Sequence, residues 1–227
     1  PLEPVPLLAA EAANQGHISK QVDSDGITRK AALWVNSPDF SIPGFGLALV
    51  EVYNAYHPKN PVALPQPIKS QTLQNVWLNW PGIVHTKSTH PQKKSPPTYS
   101  FVDVVEGRFN PQNFADKIVL VGATATGLDD PLRSPLNLEP PTSGVYFHAT
   151  VIDNLLNNRL LKRLPNSFAI QLLLLLGPVT NLLLLHCNFR QRLAIAVTLP
   201  ISYLGIGLVA FSFYQWWIPI AAPIGTM

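Results

Sequence analysis

Two long uncharged runs dominate the hydropathy pattern. Residues 168–187, FAIQLLLLLGPVTNLLLLHC, and 193–213, LAIAVTLPISYLGIGLVAFSF, carry no formal charge. A helix of about 20 residues rises roughly 30 Å, the thickness of the hydrocarbon core of a bilayer. The pattern therefore predicts two transmembrane helices, joined through the polar break NFRQR at 188–192. Trp216 and Trp217 read as an interfacial anchor, and a third span is expected to begin near 216 and to be truncated. Pro178, Pro200, Pro219 and Pro223 are expected to kink or interrupt helices unless neighbours satisfy the freed carbonyls. Gln171, Asn181 and His186 are expected as interhelical hydrogen-bond partners.

Upstream the periods change. Leu7–Ala13 reads as the end of a helix closed near Gly16, and Ile18–Val22 as a short strand. The sequence DSDG at Asp23–Gly26 predicts a turn, with Gly supplying a positive φ, and Ile27–Val35 resumes as the second strand of a β-hairpin. Phe45, Leu49, Val52 and Tyr56 fall at helical spacing and predict an apolar helix face over Phe45–Tyr56, ended at His57-Pro58. Val76–Trp80 alternates like a strand, and 81–98 is a polar loop. Ile118–Val121 is a continuous apolar run of the kind that fills an internal strand. Val145, His148, Ile152, Leu155 and Arg159 mark a helix over Gly144–Leu160, with Ser143 as its N-cap.

Composition narrows the class. Of 227 residues, 47% are hydrophobic and 13% charged, with 23 prolines, which excludes a disordered charged tail. Residues 1–167 hold 14 Lys+Arg against 13 Asp+Glu, whereas 168–227 hold only Arg190 and Arg192. The net charge of +3 is thus spread out, and no nucleic-acid partner is expected. Orientation from charge is ambiguous, because Arg190 and Arg192 on one side of the first span face Arg159, Lys162 and Arg163 on the other. The only Met is residue 227 and the first residue is Pro, so the chain is expected to be a segment of a longer protein. The lone Cys187 rules out an intrachain disulfide and a cysteine metal cluster.

The candidate chemistry lies after Lys117, in KIVLVGATATGLDDPLRSP. Gly122 and Gly127 have the Walker glycine spacing, but Leu128-Asp129 stands where Lys and Ser/Thr are required, and no nucleotide phosphate site is expected. Thr124, Thr126, Asp129, Asp130, Arg133 and Ser134 offer polar groups that either hold a small polar ligand or close a turn among themselves. His148 lies on the apolar stripe of its helix. Its bland reading is a histidine bonded to a backbone carbonyl or to the preceding loop, and its sharp one a ligand contact or a catalytic base. His85 and His90 read as exposed loop residues, and DSDG lacks the further oxygen ligands of a calcium loop. No metal and no cofactor are expected.

Ala12-Ala13-Asn14-Gln15-Gly16-His17, DSDGITR at 23–29, KIVLVGATATGLDD at 117–130, Ser134-Pro135 and GVYFHATVIDNLL at 144–156 together resemble the second type of CHASE domain, CHASE-two. That family forms extracellular sensors of bacterial signalling receptors. The resemblance covers roughly Leu7–Leu164 plus the membrane region. It implies an α/β extracytoplasmic sensor domain, here its C-terminal portion over 1–164 with a sheet flanked by helices, followed by transmembrane helices over 165–227. It further implies a place in the cytoplasmic membrane with the sensor outside, NFRQR inside and the two tryptophans outside. The output would be a histidine kinase, nucleotide cyclase, cyclic-di-GMP enzyme or protein kinase in the same chain outside this segment. The segment itself is then not an enzyme. A homodimer is expected from the receptor class, and no common ligand carries over. Asp23, Asp25, Arg29, Asp129, Asp130, Ser134 and His148 fall in the family's motifs. Two alternatives stay open: a non-signalling membrane anchor or interaction module, and an envelope hydrolase with His148 as base.

Overall fold

The computed structural model describes residues 5–80, 97–125, 127–136, 142–185 and 187–220. The polar loop with His85 and His90 lies outside them, as do Thr126, His186 and Pro223. The chain divides into two compact units, Pro1–Arg159 and Leu160–Met227.

The first unit is built around one strand. After helix α1 (Pro6–Glu11), strand β1 (Lys20–Gln21) pairs antiparallel with β2 (Lys30–Asn36). The intervening turn is the expected one, with Gly26 at φ 80° and its amide donating to Asp23 O at 2.9 Å. Strand β3 (Ser41–Pro43) pairs with the far end of β2 on the same edge as β1, and β4 (Leu73–Trp77) takes the other edge along Lys30–Val35. Both edges of β2 are therefore occupied, and all these pairings are antiparallel. Ala31, Ala32, Leu33 and Trp34 are consecutively buried, as in a strand covered on both faces. Part of that cover is the proline-rich segment after α2, which accepts Trp34 Nε1 at Pro65 O (2.9 Å) and Asn36 Nδ2 at Gln71 O (2.8 Å).

Helix α2 (Phe45–Tyr56) has the expected bounds but a different buried face. Gly46, Leu47, Ala48 and Val50 are buried, whereas Tyr56 is exposed. The reason is helix α4 (Gly144–Leu156), which packs on α2 at Gly46: an added Cβ there would lie 2.7 Å from Val151 Cγ1. On α4 the buried residues are Phe147, Thr150, Val151, Ile152, Asn154 and Leu155, so the stripe is rotated from the one drawn through His148. The helix also stops at Leu156, where Asn157 caps it and Asn158 turns left-handed at φ 51°.

The expected internal strand at Ile118–Val121 does not form. The segment has no ladder partner among the described residues, and Val119 and Val121 are exposed. Its backbone is not paired with β1, β3 or β4, the outer strands of the sheet. Between β4 and α4 lie a short helix α3 (Phe101–Val105) and a 3-10 turn at Pro111–Asn113. The first unit is thus a mixed helix-and-sheet structure with an antiparallel sheet.

In the second unit, β5 (Lys162–Arg163) precedes α5 (Asn166–Leu185) and α6 (Phe189–Tyr214), and β6 (Trp216–Trp217) follows. Helix α6 begins inside the polar break because Asn188 and Gln191 form a capping box, which satisfies two otherwise orphaned amides. Its 26 residues, mean hydropathy 2.1 over the most apolar window, are long and apolar enough to cross a membrane. Pro178 and Pro200 lie inside α5 and α6 without interrupting them. Gln171 and Asn181 are exposed and form no interhelical hydrogen bond among the described residues. Parallel pairing of β5 with β6, with Lys162 N donating to Gln215 O at 2.8 Å, brings the start of α5 beside the end of α6. Residues 216–220 are extended rather than helical, and Pro219 O accepts from Tyr203 Oη at 2.8 Å. The expected third span therefore does not begin at 216.

Candidate functional site

The polar residues gathered around the first turns of α4 come from three distant stretches. Lys20, on β1, donates through Nζ to Asp130 O at 3.0 Å and pairs with the Asp130 carboxylate. Asp129 accepts the Ser143 hydroxyl at 3.0 Å. Ser143 therefore stands at the N-cap position but spends its hydroxyl on Asp129 and makes no side-chain cap bond. The two adjacent carboxylates tie the loop before α4 to β1 and to the helix start. Gly122 lies so close to the same helix that a Cβ would sit 2.8 Å from Val145 Cβ.

His148 lies one turn further along α4. Its ring stands nearly perpendicular to those of Phe45 and Phe147, with centroids 5.2 Å away in each case. Neither ring nitrogen is hydrogen-bonded among the described residues, so aromatic rings stand where a carbonyl or loop partner was expected. Burial first, then the Lys20 and His17 charges, lower its pKa to about 4, with Asp130 opposing. His17 stands nearby, also lowered by burial. It accepts the Ser19 amide at Nδ1 (3.3 Å), while Nε2 is buried without a partner. Both rings line a cavity of about 10 Å³ with Gly44, Phe45, Phe147 and Val151. That is room for about one water, far below the several hundred Å³ of a small-molecule site.

Of the six candidate ligand residues, the structure assembles Asp129, Asp130 and His148. Thr124 is exposed and unbonded among the described residues, and Thr126 lies outside them. Arg133 is held by its backbone, which bridges Ile27 and accepts Thr28 N at 2.8 Å. Ser134 is buried. The DSDGITR motif closes its own turn: Arg29 donates to Asp23 Oδ2 (3.0 Å) and to both Asp25 oxygens (2.9 and 2.7 Å), and Lys30 donates to Asp23 Oδ1 (2.8 Å). Arg29 holds Asp25 down at about 2. Both carboxylates are thus engaged within the turn itself, and no metal-ligand cluster occurs among the described residues.

Lys20 and Asn154 were not singled out by sequence reasoning. Asn154 is fully buried and bridges the backbone of Asn79 by two bonds, accepting its amide at 2.7 Å and donating to its carbonyl at 2.9 Å. A polar residue at helical spacing from Phe147 and Val151 was the available signal. Lys20 carried none.

Chemically the cluster is a set of internally matched charges around a pair of neutral imidazoles. Asp129 is engaged by Ser143 and Asp130 by Lys20, so neither carboxylate is hydrogen-bonded to the His148 ring among the described residues. The CHASE2 domain family matches residues 3–186, and the chain belongs to that family. CHASE2 domains are extracellular sensor domains of transmembrane signalling receptors and are not catalytic. No curated protein and no solved structure matches the chain.

Proposed function

We propose that residues 1–164 are the C-terminal portion of the extracytoplasmic sensor of a bacterial receptor, and that residues 165–227 are its membrane stem. The stem relays the sensor's state to a cytoplasmic output domain elsewhere in the same chain: a histidine kinase, a nucleotide cyclase, a cyclic-di-GMP enzyme or a protein kinase. The observation that carries this reading is the continuity of the family match, which runs from the sensor through α5, with the membrane-length helix α6 directly after it. In this reading the chain is multi-pass in the cytoplasmic membrane, with the NFRQR turn inside and Trp216–Trp217 outside. Relay requires two sensor conformations that a stimulus stabilises unequally, and Leu156–Pro165 is the connection it must use.

Reporter fusions test the topology. A fusion within the NFRQR turn should report the cytoplasm and one after Trp217 the outside; identical locations would overturn the reading. In the full-length receptor, Gly-Ser inserted between Leu164 and Pro165 should uncouple output from sensor, and unchanged regulation counts against relay by this route.

A further inference from the structure

Two imidazoles share one wall of the cavity between β2, α2 and α4. With Nδ1 of His17 accepting the Ser19 amide, the neutral ring carries its proton on Nε2, the atom buried without a partner. His17 also holds the start of α2 by its backbone: its amide donates to Pro43 O at 2.9 Å and its carbonyl accepts Phe45 N at 2.8 Å. Phe45 in turn carries the edge contact to His148 on α4. The charges facing the pair are Lys20 and Asp130, which neutralise each other. From α2 the charged residue is Glu51, bound by Asn14 Nδ2 at 2.8 Å. From α4 it is Asp153, bonded by Asn157 and 3.8 Å from Arg159. From β2 it is Lys30, which pairs with Asp23. Each carboxylate on these elements already has a partner.

We propose that His17 and His148 form an acid-released latch that holds the N-terminal ends of α2 and α4 together while both rings are neutral. A proton added to either ring creates a desolvated cation packed against aromatic rings, with a second imidazole beside it and no free carboxylate to pair it. Separating the helices hydrates the cation. The stimulus to which this part of the sensor answers is then proton activity.

The sign follows from linkage. His148 titrates at about 4 in the closed form against 6.5 when unperturbed, so the open form binds the proton more tightly. The contribution to closure is complete above pH 6.5 and is lost as pH falls toward about 4. Across that window the opening equilibrium rises up to about tenfold per pH unit.

The test uses the whole chain in lipid nanodiscs. Amide hydrogen exchange of Gly144–Leu156, corrected for intrinsic rates, is followed as the pH is lowered below 6.5, alongside NMR of ring-labelled histidine. In the parent chain, protection should fall about tenfold per unit, and the His148 ring should titrate near 4. His148→Gln should flatten the profile and His17→Gln should shallow it. A pH-independent parent profile, an undiminished slope in His148→Gln, or a His148 ring titrating near 6.5 overturns the latch. Should His148→Gln not fold, the parent's ring titration decides. The latch rests on the sensor reading only for its role as a stimulus, and exchange is measured without any output. Failure here leaves the receptor reading standing, and failed topology fusions leave the latch standing.

Discussion

Gly46→Ala is the sharpest probe of how the sensor unit is packed. The added methyl would lie 2.7 Å from Val151 Cγ1, 3.1 Å from Val151 Cβ and 3.5 Å from Ile152 Cγ1. Ordinary carbon contacts lie near 3.5–4.0 Å, so α2 and α4 must separate by about 1 Å. Val151 cannot turn away, since a β-branched side chain has one strongly preferred χ1 in a helix, and it is 4% exposed. Overpacking of this kind costs about 1–3 kcal/mol, offset by about 1 kcal/mol from replacing a helical glycine. With the rigid Val151 as neighbour the upper part of the range applies, and the net loss is about 1–2 kcal/mol. Val151→Ala removes the obstructing methyls, so the double variant Gly46→Ala/Val151→Ala should be more stable than the sum of its parts by about 1–2 kcal/mol. Urea unfolding of the detergent-solubilised chain, followed by near-ultraviolet circular dichroism, measures all four corners of the cycle. A Gly46→Ala chain as stable as the parent, or strict additivity in the double variant, refutes the close approach of the two helices.

Asp25, held at about 2 by Arg29, contributes stability that is present above its ordinary 3.8 and lost as pH falls through about 2. Arg29→Gln should flatten the acid limb of the urea midpoint over that range, and an unchanged limb would show that the pair does not form in solution. Asn154→Ala strands the Asn79 amide and carbonyl and should cost about 1–3 kcal/mol; a loss below about 0.5 kcal/mol, the scale of neutral surface changes, refutes the bridge. In membranes, and in a Cys187→Ser background, the pair Arg163→Cys/Trp217→Cys should cross-link on mild oxidation, because paired strands lie about 4.8 Å apart, within disulfide reach. Failure to cross-link, with efficient labelling of both cysteines, removes the β5–β6 ladder.

The elements written in local signals were legible. DSDG specifies the hairpin turn, the bounds of α2 follow from its apolar content and His57-Pro58, and both uncharged runs became helices. Facing was not legible, because α2 turns the side without a Cβ at Gly46 toward Val151, more than a hundred positions away. Ile118–Val121 has a strand's composition, but pairing depends on where the rest of the chain places it, and no local signal carries that. The start of α6 was visible only as Asn188 with Gln191 three residues on, inside a stretch that its arginines made look like a break. In the site, Asp129 and Asp130 announced themselves by clustering in sequence, and His148 by standing on an apolar helix stripe. Lys20 lies 110 positions from the aspartate it binds, and no pattern connects them.

The β5–β6 ladder turns the second unit into a ring of chain with a neck. Entry at Lys162 and exit at Trp217 are bonded to one another, and the Arg163 guanidinium lies 5.7 Å from the Trp217 ring centroid. Two residues of pairing are too few to be stable alone. What keeps the neck shut is proximity, since the connected helices hold its halves at high effective concentration. Leu160 and Leu161 lead directly into this closure, so the chain arriving from the sensor enters the membrane unit at its neck.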